Sequence, residues 1–202
     1  MTGEIRGQLR AHGRRGDFDG DCLSDLSVFR PNEGNWFFLN SSDGEFRAQT
    51  LGNASSKIVS GDYDGDGIND AAVFRDKSGF GYWYIRRSSD NALVIEQWGL
   101  GDDKPVAADF DADGRTDLAV FRASSGTWYI RNSSNGSMTA TQWGTSEDVP
   151  SAADFDSDER ADIAVFRPSN GGWYILQSAD KSFATTQFVQ NGDRPAATSN
   201  QL

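Results

Sequence analysis

The chain has 202 residues, with 19 Lys and Arg against 30 Asp and Glu and a formal net charge of −11. That length allows one domain with a substantial core or a short repeat array, and a 12% aromatic content excludes a disordered acidic tail. The acidity argues against nucleic-acid phosphates as a partner, a single cysteine (Cys22) excludes an intrachain disulfide, and no apolar run is long enough to insert into a membrane.

Met1 to Gly16 is polar and basic and lacks the apolar stretch of a signal peptide. The chain is therefore expected to be a processed form or a piece of a longer protein. From Asp17 onward a pattern sets in. Asp17, Asp19, Asp21 and Asp25 stand at positions 1, 3, 5 and 9 of a nine-residue loop. The same spacing returns as Asp62, Asp64, Asp66 and Asp70, then Asp109, Asp111, Asp113 and Asp117, then Asp154, Asp156, Asp158 and Asp162. The first Asp recurs at 17, 62, 109 and 154, in steps of 45, 47 and 45. Alternating carboxylates on a tight turn converge on one point, and the fourth closes the cage from the start of the next strand. The carbonyl at position 7 (Leu23, Ile68, Arg115, Arg160) can add another oxygen. An oxygen-only, flexible donor set of this kind suits Ca²⁺ better than Mg²⁺ or a transition metal, and no Cys/His group makes a zinc site. Up to four Ca²⁺ are expected, and they would bring the formal charge from −11 to −3.

Each loop runs into nearly the same strand: Leu26-Ser27-Val28-Phe29-Arg30, Ala71-Ala72-Val73-Phe74-Arg75, Leu118-Ala119-Val120-Phe121-Arg122, Ile163-Ala164-Val165-Phe166-Arg167. It is apolar on both faces, which predicts burial on both sides. A Gly/Asn/Ser/Pro turn follows. Next comes an aromatic strand (Trp36-Phe37-Phe38, Trp83-Tyr84-Ile85, Trp128-Tyr129-Ile130, Trp173-Tyr174-Ile175) and a second polar turn such as Asn132-Ser133-Ser134-Asn135-Gly136. A third strand ends at Gln49, Gln97, Gln142 or Gln187, and an acidic turn leads into a fourth, Pro105 to Ala108 or Pro150 to Ala153. Four short strands per period and no helical pattern predict an all-β fold, a β-propeller of four-stranded antiparallel blades. The repeats span about 9–52, 53–99, 100–144 and 145–189, and 190–202 starts a fifth repeat or supplies a closing strand. Gln8 to Gly16 holds the place of the first leading strand, though poorly apolar. An open stack of the same sheets is the alternative; closure by the extra strand or by dimerisation is left open.

These residues resemble the FG-GAP/VCBS repeats, the calcium-loop propeller repeats of integrin alpha subunits and many secreted bacterial proteins. The segment that carries the resemblance is Trp98-Gly99-Leu100-Gly101-Asp102-Asp103-Lys104-Pro105-Val106-Ala107-Ala108, followed by the Asp109–Asp117 loop and Leu118 to Arg122; the likeness extends over about 9–198. It implies a propeller with Ca²⁺ in the hairpin between the first two strands of each blade. It also implies an extracellular or cell-surface location and a non-catalytic role in adhesion, or in binding a glycan or surface protein. The family pattern has Gly at position 6, as in Gly67 and Gly114, but this chain has Cys22 and Glu159 in loops one and four. If that position needs φ > 0, those two loops are expected to bind more weakly.

The same residues bear on several competing readings. EF-hands are rejected, because they need flanking helices and a Glu at position twelve, where Val28, Val73, Val120 and Val165 stand. Solvated metal-free turns would leave four carboxylates repelling one another. Carboxylate acid–base catalysis fits badly with a set repeated four times. Trp83, Trp128 and Trp173 are candidates for stacking on a sugar, but recurrence at one repeat position favours packing between blades. The recurring arginines Arg30, Arg75, Arg122 and Arg167 are expected to stack on the neighbouring aromatics. Arg15-Gly16-Asp17 spells an adhesion tripeptide whose Asp is engaged in loop one, and His12 and Cys22 have no partner for nucleophilic catalysis. The Asn-X-Ser stretches at Asn40, Asn53, Asn132 and Asn135 bear on glycosylation only in a eukaryotic secreted protein. Besides adhesion, the alternatives are a lectin, a structural or assembly module that homo-oligomerises, and, more weakly, a polysaccharide-active enzyme.

Overall fold

The computed structural model describes residues 16–190, 193 and 195. The described residues contain strands and turns and no helix. Fifteen strands form four antiparallel sheets. The first holds β1 (Leu26–Arg30), β2 (Asn35–Leu39) and β3 (Phe46–Thr50). The second holds β4 (Lys57–Ile58), β5 (Ala71–Lys77), β6 (Phe80–Arg86) and β7 (Leu93–Leu100). The third runs β8 (Lys104–Ala108), β9 (Asp117–Arg122), β10 (Thr127–Arg131) and β11 (Met138–Gln142), and the fourth β12 (Val149–Ala153), β13 (Asp162–Arg167), β14 (Gly172–Leu176) and β15 (Phe183–Gln187). Each is an up-and-down meander of propeller-blade form, one per repeat. The first shows three strands where the sequence predicts four, and its expected leading strand, apart from Gly16, lies outside the described residues.

The two-sided apolar strand has a direct structural reason. Along β5, Ala71 and Val73 pack with Phe18, Trp36, Phe38 and Leu51 of the first repeat. Ala72 and Phe74 point the other way and pack with Ala107, Leu118 and Val120 of the third. Along β9, Ala119 and Phe121 join Ile163 and Val165 of the fourth sheet. Period-two alternation thus serves two cores, because each sheet is sandwiched between neighbours. β1 departs from this: Leu26 is 72% and Val28 63% exposed, since among the described residues no sheet covers that face. The three cores join consecutive sheets, and none of them joins the first to the fourth.

The aromatic strands supply the bulk of these cores. Trp83 and Trp128 are 0% exposed, and their indole N–H groups donate to the Trp98 and Trp143 carbonyls at 3.1 and 3.0 Å. Trp98 and Trp143 in turn donate across the junctions to the carbonyls of Tyr129 and Tyr174, at 3.3 and 3.1 Å. The hairpin glycines Gly34, Gly126 and Gly171 admit no side chain: a Cβ there would lie 2.2–2.4 Å from the carbonyl oxygen of Gly52, Gly144 or Val189.

Candidate metal centre

Each acidic loop leads into the two-sided apolar strand of its sheet (β1, β5, β9, β13), joining the first strand to the second in the last three sheets, and is built by its own carboxylates. The position-1 Asp accepts from the N–H at position 4 through Oδ1, at 2.6 Å from Gly20, Gly65 and Ser157 and 2.7 Å from Ala112. Through Oδ2 it accepts from position 6, at 2.8–3.0 Å from Cys22, Gly67, Gly114 and Glu159. The position-9 Asp is buried and takes the N–H of position 2 at 2.6–2.9 Å. The N–H of Leu23, Ile68, Arg115 and Arg160 donates to the position-5 carboxylate at 2.7–2.9 Å.

A second set of groups covers each loop. Ser41, Ser88, Ser133 and Ser178, from the later hairpin of the same sheet, donate their N–H to the position-9 Asp at 2.6–2.7 Å. Their hydroxyls donate to the position-5 Asp at 2.6–2.9 Å. The next residue, Ser42, Ser89 or Ser134, bonds the position-3 Asp at 2.5–2.7 Å. The serine pair was missed from sequence; its signal is the recurrence of Ser-Ser in the second polar turn. The fourth repeat has Ala179 in place of the second serine. Consecutive loops are stacked: the carbonyls of Asp17, Asp62 and Asp109 accept from Asn69, Thr116 and Ala161 N–H at 2.6–2.7 Å.

Three carboxylates in each loop bring oxygens within 4.8 Å of one another: Asp17, Asp19 and Asp25; Asp62, Asp64 and Asp66; Asp109, Asp111 and Asp117; Asp154, Asp156 and Asp162. The remaining ones, Asp21, Asp70, Asp113 and Asp158, are held in the same loops by their serine and backbone bonds. Burial pushes the Asp70 and Asp117 carboxyls up to about 6, against the pull of the backbone N–H donors of Ser88 and Tyr63, and of Ser133 and Phe110. Burial also raises Asp62 and Asp109. The Ser42 hydroxyl lowers Asp19. Asp156, at the same position but facing Ala179, is raised by desolvation and by Asp162 and Asp158. In the third loop Asp111 Oδ1 is buried with no donor in reach. A buried carboxylate oxygen with no donor is the kind of group a cation satisfies, so the donor set fits a hard divalent ion.

Position 6 has φ > 0 in all four loops, as Cys22 (68°), Gly67 (88°), Gly114 (85°) and Glu159 (71°). Position 4 does too, and the sequence reading overlooked it: Gly20 and Gly65 are at ease there, whereas Ala112 (61°) and Ser157 (66°) are strained. Loop two alone has glycine at both positions, loops one and three carry one strained residue each, and loop four carries two. The expected ranking, with loops one and four weak, therefore changes by adding a handicap to loop three.

The tryptophan candidates separate as well. Trp83 and Trp128 are sealed in cores and have no face for a sugar, while Trp173 is half-buried. The repeated arginines stack on the residue after each tryptophan: Arg30 over Phe37, Arg75 over Tyr84, Arg122 over Tyr129 and Arg167 over Tyr174, at 4.4–5.1 Å. Arg122 and Arg167 also hold wholly buried carboxylates, Asp103 and Asp148, with two bonds each at 2.9–3.0 Å. In the second repeat Ser56 replaces that Asp, and Arg75 Nε is buried without a partner.

The fold and loops together define a repeat protein of propeller-type blades, each with an acidic loop running into its two-sided apolar strand. The chain matches the FG-GAP-like repeat over residues 17–73 and 109–165, and it belongs to that family. Each match opens on the first Asp of a loop and ends in the buried strand of the following repeat. A search of curated proteins returned no match to the chain.

Proposed function

We propose that the chain is a non-catalytic, calcium-binding β-propeller module of a secreted or cell-surface protein, serving adhesion or ligand binding. The observation that carries this reading is the buried, donorless Oδ1 of Asp111 inside a cluster of carboxylates that recurs in every repeat. Bound Ca²⁺ would be held by the Asp at positions 1, 3, 5 and 9, with the position-7 carbonyl as a further oxygen, and would neutralise charges that otherwise repel. The backbone and serine donors keep those carboxylates in place for the ion. Because the four loops stack through backbone bonds, ordering one supports the next. Sites of this kind suit extracellular calcium, which supports the location proposed. With Trp83 and Trp128 buried, nothing among the tryptophans favours a lectin over other ligand binding.

The test is calorimetric calcium titration of chelator-stripped protein, with thermal melts alongside. Heat of binding and a rising melting temperature are expected, with loop two tightest and loop four weakest. A site filled at 100-fold its Kd adds ~2.7 kcal/mol of stability. No heat and no shift would mean the loops are plain turns and would sink the proposal.

A further inference from the structure

Among the described residues two buried side-chain polar atoms lack a hydrogen-bond partner: the oxygen Asp111 Oδ1 in its acidic loop, and the nitrogen Arg75 Nε. The sister repeats show what an arginine at this position holds. In the third sheet Arg122 Nε donates to Asp103 Oδ1 at 3.0 Å, and in the fourth Arg167 Nε donates to Asp148 Oδ1 at 2.9 Å. The other oxygen of each Asp, Oδ2, accepts from Nη2 of the arginine at 3.0 Å. It also accepts from the backbone N–H three residues earlier, Leu100 or Thr145, at 2.8 Å.

In the second repeat Ser56 replaces that Asp, and Ser55 replaces the acid before it, Asp102 or Glu147. The hydroxyl takes over one oxygen of the two. Ser56 Oγ accepts from Asn53 N–H at 2.8 Å, the bond that Oδ2 makes in the sister repeats. It also lies against the equivalent glycine. A Cβ on Gly52 would meet Ser56 Oγ at 2.9 Å, as one on Gly99 or Gly144 would meet the Asp Oδ2 at 3.2 or 3.3 Å. Oγ therefore stands for Oδ2, and among the described residues no atom stands for Oδ1, the acceptor of Nε. The Ser56 hydroxyl proton goes to Asn53 Oδ1 at 3.2 Å. Asp76, the next acid in the chain, is engaged in its own hairpin, accepting from Gly79 N–H at 2.8 Å. The guanidinium nevertheless keeps the posture of its sisters, stacked on Tyr84 at 5.1 Å as Arg122 and Arg167 are on Tyr129 and Tyr174 at 4.4 Å. Arg75 is half-buried, and Ala54 and Ser55 in the turn before Ser56 are exposed, so solvent reaches this corner.

We infer that Arg75 binds a small monovalent anion, a halide or a formate-sized carboxylate, whose charged atom takes the place of Oδ1. The Asp-to-Ser exchange removes one acceptor atom and one negative charge, and a solute of that size and charge restores both. A buried donor without an acceptor is costly, and a charge-assisted bond to a guanidinium is among the stronger ones. The stack on Tyr84 already fixes the guanidinium, so little ordering is left for the anion to impose. Tyr84 packs on the core that joins the first sheet to the second, and a bound anion braces that seam.

The test is titration of the full chain with sodium chloride and, separately, sodium formate, each against sodium gluconate at constant ionic strength. The readout is the nitrogen-15 cross-peak of the Arg75 Nε–H, identified by its loss in Arg75→Ala, with thermal melts alongside. The peak is expected to shift saturably with chloride, formate or both, and not with gluconate; which of the two saturates it identifies the source. At an anion concentration near the Kd the wild type should melt about 1–2 °C higher than in gluconate. Ser56→Asp supplies the missing oxygen from within the chain, and should melt higher than the wild type in gluconate and lose the response to both anions. A wild-type peak that never saturates means that water meets Nε, and overturns the inference whatever Ser56→Asp does. A Ser56→Asp protein that responds as the wild type does overturns it as well.

Discussion

Arg122 and Arg75 stand at the same position in successive repeats, and truncating each to alanine should give very different losses. Asp103 is wholly buried and its partner Arg122 only 25% exposed. Without Arg122, the carboxylate keeps a single backbone donor, Leu100 N–H at 2.8 Å. Leaving one charge of a buried pair uncompensated costs about 3–5 kcal/mol, and the lost stacking on Tyr129 adds roughly 0.5–1 kcal/mol. Arg75 stacks on Tyr84 at 5.1 Å but has no carboxylate, and its buried Nε has no acceptor. Arg75→Ala therefore removes stacking alone, about 1 kcal/mol or less. For a chain of this length a kilocalorie is worth about 2–4 °C of melting temperature. Arg122→Ala should thus lower the melt by roughly 7–24 °C and Arg75→Ala by under about 4 °C. Paired scans in the same buffer decide the matter. Equal shifts would refute the view that the buried carboxylate, and not the arginine's own packing, sets the loss. In the same logic Ser56→Asp supplies Arg75 with its missing partner and should make Arg75→Ala costly.

In metal-free protein, Asp70 and Asp117 carry carboxyls near 6 against an ordinary value of 3.8. Their folded forms bind protons more tightly than the unfolded chain, so the stability they contribute is full below about 4 and is lost as pH rises through about 6. Chelated protein should melt higher at pH 5 than at pH 7, and calcium should reverse the order; the same slope with and without calcium would contradict this. Glu159→Gly and Ser157→Gly relieve φ > 0 strain in loop four and should each tighten its calcium site or raise the melt by an amount worth about 1 kcal/mol, with Gly67→Ala doing the reverse in loop two. Trp128→Ala should cost about 3–5 kcal/mol through the cavity it leaves. Trp173→Ala, at the half-buried equivalent in the last sheet, should cost clearly less in the same denaturant titration.

Much of the candidate site was legible in the sequence because it is local. A nine-residue loop that binds its own carboxylates needs only its own residues, and position 6 was identified from Gly67 and Gly114. Position 4 was missed because Gly20 and Gly65 alternate there with Ala112 and Ser157, so no single residue type marks the strain. The serines were missed because they enter from a hairpin 16 to 25 residues away, which spacing alone does not link to the loop. The half-buried arginines were legible as a recurrence, but their grip on Asp103 and Asp148 depends on strand register.

The sequence by itself determined the repeat, the four-strand plan of each unit, the two-faced apolar strand and the carboxylate cages, since all are periodic and act over short range. Only the tertiary structure decided which face of each strand meets which neighbour, why Trp83 and Trp128 are sealed while Phe155 and Phe188 are bare, and where an arginine lacks its acid. Identical repeats become different once stacked, because burial depends on having a neighbour on each side, and among the described residues the first and last sheets each pack on one neighbour.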